Sequence, residues 1–346
     1  MVISGIVPDV TPVHLVVIAI ASVAVWIGSA WLETSAEDLS AYYGLPPVVQ
    51  GSVVVAVGSS FPEFASVVIA AFAGAFDLGV GAIVGSALFN VLVIPALSGL
   101  STEGEELDAN RAIVYKEAQF YMIAVSALII TFALAVIYEP VESADALSGE
   151  ITRPLAVIPL LLYGLYLFIQ WQDVGDHTPG DEGEGVDVLP AWGKLAAGLL
   201  VILVAVEFLV GSVEFLGAAL GVPEFLAGVT ILAAATSLPD TLVSVRSASG
   251  GNGTTSLGNV LGSNTFDLLV AIPVGVVLVG SLTINFAVAL PLFGVLTLAT
   301  VLLFTFLRTD LTLYRWESYL LLLAYAVFVA WMVTESIGAT DLLKAA

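Results

Sequence analysis

The chain has 346 residues, 59% of them hydrophobic, and a mean hydropathy of +1.05, above the roughly half-apolar content of a soluble domain. Thirty acidic residues against 8 basic ones give a formal net charge of −22, and without a basic patch nucleic acid is excluded as a partner. Cysteine is absent and the two histidines, His14 and His177, lie far apart in the chain, which excludes disulfides, thiolate chemistry and histidine-based metal sites or triads; no enzymatic activity is expected.

The opening stretch "MVISGIVPDVTPVH" lacks the positive n-region of a signal peptide, so the first apolar run reads as a retained span. Windows of about 20 uncharged residues are long enough to cross a bilayer. They predict helices over 13–32, 47–73, 79–100, 112–138, 153–171, 191–220, 223–248, 256–280, 284–307 and 316–335. The fold class is therefore an all-α polytopic membrane protein with ten transmembrane helices. Acidic loops at 101–110, 139–150 and 173–187 read as solvated surface. So large an acid excess suits a halophilic prokaryote, whose concentrated salt screens the repulsion. The Gly- and Pro-containing segment 172–190 reads as an acidic cytosolic linker. It separates a first five-helix repeat, 1–171, from a second, 191–346.

Shifted by 177 residues, the first half falls on the second without a gap. Ser60 meets Ser237, Pro62 meets Pro239, Gly85-Ser86 meets Gly262-Ser263, and Phe89 meets Phe266; from 58 to 95, 11 of 38 positions are identical. An odd number of spans per half turns the copies upside down relative to each other, the inverted repeat of many secondary transporters. Arg111, Lys116, Lys194, Arg246, Arg308 and Arg315 fall on one side of this layout, with Arg153 and Lys344 on the other. The positive-inside rule then puts the linker in the cytosol and both termini outside.

Two stretches interrupt the apolar pattern, "GSSFPEF" at 58–64 and "ATSLPDT" at 235–241. Each proline removes a backbone donor and frees a carbonyl, which predicts broken helices 2 and 7. Such breaks are tolerated at membrane depth where they line a cavity. A plain proline kink with back-bonded hydroxyls accounts for Ser59, Ser60, Thr236 and Ser237. It leaves Glu63 and Asp240 unexplained, because a carboxylate in hydrocarbon needs a partner. Asn90 and Asp267 each lie 27 residues further on, at the ends of "GSALFN" and "GSNTFD". Together the four make an oxygen cage suited to a hard cation. Gly79, Gly81, Gly85, Gly258 and Gly262 allow close helix approach. Glu207, mid-span, has no assigned role.

With these residues in view, the sequence resembles the sodium/calcium exchanger family, within the cation/calcium antiporter superfamily. The motif G-[ST]-S-x-P-[ED] appears as Gly58 to Glu63 and, with Ala for Gly, as Ala235 to Asp240. The motif G-S-x-x-[FA]-[ND] appears at 85–90 and 262–267. The resemblance implies an antiporter of Na⁺ and Ca²⁺ working by alternating access in the cell membrane, with no cofactor and no protein partner. Glu63 and Asp240 would be central Ca²⁺ ligands, completed by Asn90 and Asp267. Ser59, Ser60, Ser86, Thr236, Ser237 and Ser263 would supply hydroxyls to outer Na⁺ sites, and Ala56 and Ala233 backbone carbonyls. Ala82 and Ala87 stand where the second copy has Asn259 and Asn264. "GAIVGSALFN" and the proline-Asp pair resemble the potassium-dependent branch, which leaves K⁺ co-transport open. A Ca²⁺/H⁺ antiporter using the same carboxylates and a cation channel are the alternatives.

Overall fold

The structure, a computed structural model, describes residues 6–44, 56–102, 104, 106–111, 113–141, 147–172, 187–340 and 342–343. The acidic stretch around His177, most of the 172–190 linker, the first part of the predicted second helix and Lys344 lie outside these residues. Helix α1 (Thr11–Tyr42) opens with proline in its first turn and buries Ala21, Val25, Gly28, Leu32, Ser35 and Leu39 on one side, the i, i+3, i+4 spacing of an amphipathic face. It runs ten residues past the predicted end at 32. Glu33, Glu37 and Asp38 stop the apolar run but do not stop a helix, since glutamate is a good helix former.

After the undescribed residues come α2 (Ala56–Ser59), α3 (Phe61–Ala73), α4 (Phe76–Leu92) and α5 (Ile94–Ser101). A π-helical turn (Ile113–Glu117) then leads into α6 (Ala118–Tyr138), and α7 (Arg153–Gln172) follows. The second half has α8 (Val188–Leu220) and α9 (Glu224–Ala227). A π turn (Gly228–Leu232) carries α9 into α10 (Ala233–Thr236), followed by α11 (Leu238–Ser249) and α12 (Gly253–Phe266). A π turn (Asp267–Ala271) then leads into α13 (Ile272–Val279), and α14 (Phe286–Arg308) and α15 (Arg315–Ser336) end the chain. Among the described residues eight spans are long and apolar enough to cross a membrane, or nine with the pair Glu224–Thr236 and Leu238–Ser249, bent by 46°. Phe61–Ala73 is a shorter apolar helix. The chain is thus a mostly helical, multi-pass membrane protein.

The purely helical expectation misses two short antiparallel ribbons. Strand β1 (Glu106–Asp108) pairs with β4 (Thr312–Tyr314), and β2 (Ser148–Thr152) pairs with β3 (Ser281–Asn285). At three to five residues these strands are too short to show an alternating pattern. They pair backbone groups that the loops would otherwise leave unmatched.

The ungapped match between the copies also ends earlier than expected. The π turn Asp267–Ala271 inserts one residue, so Ile94-Pro95 corresponds to Ile272-Pro273, one position beyond the 177-residue shift. The first copy breaks at the same place, at Val93, between α4 and α5.

The spans Phe76–Ser101 and Gly253–Val279 are the most enclosed, at 89% and 83% buried. Glycine sets how closely α4 approaches the second half. A methyl added at Gly85 would lie 2.2 Å from the Val229 carbonyl oxygen, at Gly81 2.3 Å from that of Phe225, and at Gly228 2.2 Å from that of Leu78. Here backbone packs on backbone. Gly85→Ala therefore forces the two segments apart and is expected to cost about 1–3 kcal/mol, read as a lower melting temperature in detergent. Gly258→Ala, whose methyl would meet nothing nearer than Ile113 Cδ1 at 3.5 Å, is expected to melt like the parent; equal melting of both variants would refute the contrast.

Candidate functional site

The two interrupted stretches fold alike. Ser60 sits between α2 and α3 at φ −88°, ψ 4°, and Ser237 between α10 and α11 at φ −78°, ψ 2°. Pro62 has no N–H for the carbonyl of Gly58, nor Pro239 for that of Ala235, so neither helix runs straight through. Each break starts a new helix, and Glu63 and Asp240 stand in the first turns of α3 and α11. A helix N-terminus offers free N–H groups and the positive end of its dipole, which favours an anionic side chain there.

Both carboxylates are fully buried and reach across to the other half of the chain. Glu63 Oε1 accepts from the hydroxyls of Ser86 and Ser237, each at 3.4 Å, and those hydroxyls lie 2.8 Å apart. Asp240 Oδ1 accepts from Ser263 Oγ at 3.0 Å, and its Oδ2 from Asn90 Nδ2 at 3.0 Å. Ser263 is 3.3 Å from Ser59 Oγ, which donates to Asn259 Oδ1 at 3.3 Å. Asn90 Nδ2 also donates to Asn264 Oδ1 at 3.0 Å, and Asn264 Nδ2 donates to the Ala87 carbonyl and the Tyr121 hydroxyl.

The acceptors outnumber the donors. Ser60 Oγ, Glu63 Oε2, Asn90 Oδ1 and both carboxylate oxygens of Asp267 are buried with no hydrogen-bond partner among the described residues. Glu63 lies within electrostatic reach of Asp267 and Asp240. Leaving such groups unmatched in a low-dielectric interior is expensive. Bound cations are what such acceptors call for, in a mixed set of carboxylate, amide and hydroxyl oxygens. Among the described residues no three carboxylate or imidazole side chains close on one point as a metal cluster by themselves. Oxygen donors of this kind suit Na⁺ and Ca²⁺, not the softer transition metals.

The structure thus links Glu63, Asp240, Asn90, Ser59, Ser86, Ser237 and Ser263 through hydrogen bonds, and buries Ser60 and Asp267 beside them. Thr236 lies within hydrogen-bonding reach of Glu63 and also bonds within its own helix. Its hydroxyl bonds back to the carbonyls of Leu232 and Ala233, at 3.1 and 3.3 Å. The Ala233 carbonyl also accepts the Ser237 N–H at 3.0 Å. The carbonyls left without a proline N–H belong to Gly58 and Ala235, and Ala56 opens α2. Glu207 is half-buried on α8. Sequence reasoning noted Asn259 and Asn264 only as differences between the copies, and it passed over Glu33. The Cγ of Glu33 would lie 3.8 Å from a methyl at Gly58. Ending the first helix at 32 hid that residue.

Comparison with known proteins points one way. A family model described as sodium/calcium exchanger protein matches residues 13–172 and 190–334. An uncharacterized membrane protein of Methanocaldococcus jannaschii, MJ0091, is 26% identical over 311 residues, 89% of this chain and 94% of its own. The sodium/calcium exchanger MaX1 of Methanosarcina acetivorans is 24% identical over 341 residues, 87% and 93% of the two chains. The solved structure of the sodium-calcium exchanger NCX_Mj superimposes with a TM-score of 0.63 at 22% identity, covering 93% of this chain and 99% of that one.

The unmatched acceptors make a binding prediction. Saturating Ca²⁺ at a hundred times its dissociation constant is expected to stabilise the folded protein by about 2.7 kcal/mol, seen as a raised melting temperature in detergent. Asp267→Asn removes a buried charge whose two oxygens have no donor. It is expected to melt higher than the parent in chelator and to lose the Ca²⁺ shift. A shift of parental size in that variant would rule Asp267 out as a ligand.

Proposed function

The chain belongs to the sodium/calcium exchanger family, and we propose that it is a secondary antiporter exchanging Na⁺ for Ca²⁺ across the membrane by alternating access. The observation that carries this reading is the set of five buried oxygens without donors on Ser60, Glu63, Asn90 and Asp267. Glu63 and Asp240 are the central Ca²⁺ ligands, and Asn90 and Asp267 complete their ring. Both Asp240 oxygens already accept one hydrogen bond, but a carboxylate offers about four lone-pair directions, so each keeps one for a cation. Ser59, Ser60, Ser86, Ser237 and Ser263 present hydroxyl oxygens to flanking Na⁺. Thr236 and the carbonyls of Ala56 and Ala233 serve the same outer sites through their remaining lone pairs.

The same reading takes residues 1–171 and 191–346 as two inverted five-helix halves, ten spans in all, joined by a cytosolic linker at 172–190. The ribbons support it. The strand before α6 pairs with the strand before α15, and the strand before α14 pairs with the strand before α7. The fourth span of each half is thus tied to the fifth span of the other. The ribbons lie at opposite ends of α6, as an axis in the membrane plane requires. Na⁺ and Ca²⁺ compete for one set of carboxylates. Exchange follows if only the loaded site crosses between outward-open and inward-open packings.

Proteoliposomes loaded with Na⁺ are expected to take up ⁴⁵Ca²⁺ down the Na⁺ gradient, with external K⁺ and the pH gradient varied separately to test coupling to either. Uptake that follows the pH gradient and ignores Na⁺ would replace Na⁺ by H⁺ as the driving ion. Glu63→Gln is expected to cut exchange at least about a hundredfold, ~2.7 kcal/mol in the barrier, with an unchanged elution profile. Parental rates in that variant would sink the ligand assignment.

A further inference from the structure

A row of buried polar side chains runs outward from Ser59 at the central site. Ser59 Oγ donates to Asn259 Oδ1 at 3.3 Å, Asn259 Nδ2 donates to Ser244 Oγ at 3.1 Å, and Ser244 Oγ donates to the Ser256 carbonyl at 3.4 Å. Ser256 Oγ then donates to Ser98 Oγ at 2.9 Å. Ser98, Ser244 and Ser256 are fully buried, and Asn259 is 3% exposed. The row crosses three helices: α5 holds Ser98, α11 holds Ser244, and α12 holds Ser256 and Asn259.

One helical turn further out, the same three helices open on a basin of about 520 Å³. Thr102 lies four residues past Ser98, Ala248 four past Ser244, and Gly253 three before Ser256, the spacings that put residues on one helix face. All three line the basin, together with Glu106, Asp108 and Ser249. The polar row therefore runs from the site to within one helical turn of an acidic basin beside the β1–β4 ribbon.

Packing alone does not call for these residues. At the positions 177 earlier, Val67 stands for Ser244, Gly79 for Ser256 and Ala82 for Asn259. Aligned on the two Ile-Pro pairs, Ser98 corresponds to Val276. Gly79 packs on Val67, where an added methyl would come within 3.1 Å of the Cα, and Val67, Ala82 and Val276 are wholly buried. At those four positions the fold closes with no polar side chain, so close packing does not require one, and polar residues between membrane helices either bond across helices or line a path.

We propose that Asn259, Ser244, Ser256 and Ser98 form the closed state of a cation route between the central site and the basin, and that the apolar counterpart positions form no such route. The proposal rests on the exchanger reading for the identity of the cation. In the open state the hydroxyls, the Asn259 amide oxygen and the Ser256 carbonyl replace part of the ion's hydration shell as it passes.

The chain has no cysteine, so an introduced thiol is unique. In proteoliposomes, Ser256→Cys is expected to react with a membrane-impermeant methanethiosulfonate cation from the basin side, about tenfold faster than Val67→Cys reacts from either side. Ser98→Ala/Ser256→Ala is expected to lower turnover about tenfold while equilibrium ⁴⁵Ca²⁺ binding keeps its affinity, which also reports that the variant folds. A Ser256→Cys thiol that reacts no faster than Val67→Cys, or parental turnover in the double variant, overturns the proposal. Labelling is read without exchange, so a failure of Na⁺/Ca²⁺ coupling in the parent is distinguishable from a failure of the route.

Discussion

Three carboxylates, those of Glu63, Asp240 and Asp267, are wholly buried in a membrane protein; the partners of Glu63 and Asp240 are hydroxyls and an amide, not bases, and Asp267 has none among the described residues. Burying even a paired charge costs several kcal/mol after relaxation, and the rest of the architecture lowers that cost without removing it. The helix breaks at Ser60 and Ser237 place two of the acids in first turns, where the backbone is electropositive. The glycines of α4 let the second half come close enough for Asn90 to reach Asp240. What remains unmatched, above all at Asp267, are acceptors with no donor among the described residues. On the exchanger reading proposed above, the folded protein is most stable when loaded.

Much of this was legible in the sequence because the signals were doubled. A lone Ser-Ser-x-Pro-Glu within an apolar run reads as a kink; its recurrence as Thr236-Ser237-Leu238-Pro239-Asp240 points to a shared site. Hydropathy located most of the spans for the same physical reason that forces helices in lipid, the need to satisfy every backbone group internally. It failed where charge and helicity part company, at Glu33 to Tyr42. It also failed where structure depends on partners distant in sequence. The strand Glu106–Asp108 exists because Thr312–Tyr314 lies beside it, and nothing within either tripeptide announces the pairing.

The π turns show how two copies of one pattern came to differ in geometry. One extra residue at Asp267–Ala271 rotates everything C-terminal to it by a fraction of a turn relative to its counterpart. The first copy meets the same point with a break at Val93. In each half the irregular backbone lies within one turn of the buried polar residue that ends the second motif, Asn90 in one and Asp267 in the other, and π bulges are often found beside functional groups.

On the two-half reading, position 87 and position 264 are equivalents, and they touch: Asn264 Nδ2 donates to the Ala87 carbonyl at 3.2 Å. Residues related by a pseudo-twofold meet each other only at its axis, so the axis passes between α4 and α12 at this contact. Two asparagines there would compete for one volume, and two alanines would leave Asn90 without the acceptor it finds in Asn264 Oδ1. One of each fills the space and completes the network. A perfectly symmetric site is therefore not the optimum of a symmetric fold. Ala87 of the first half is the complement of Asn264 in the second, and the departure of the copies from each other at this position is part of how the network is built.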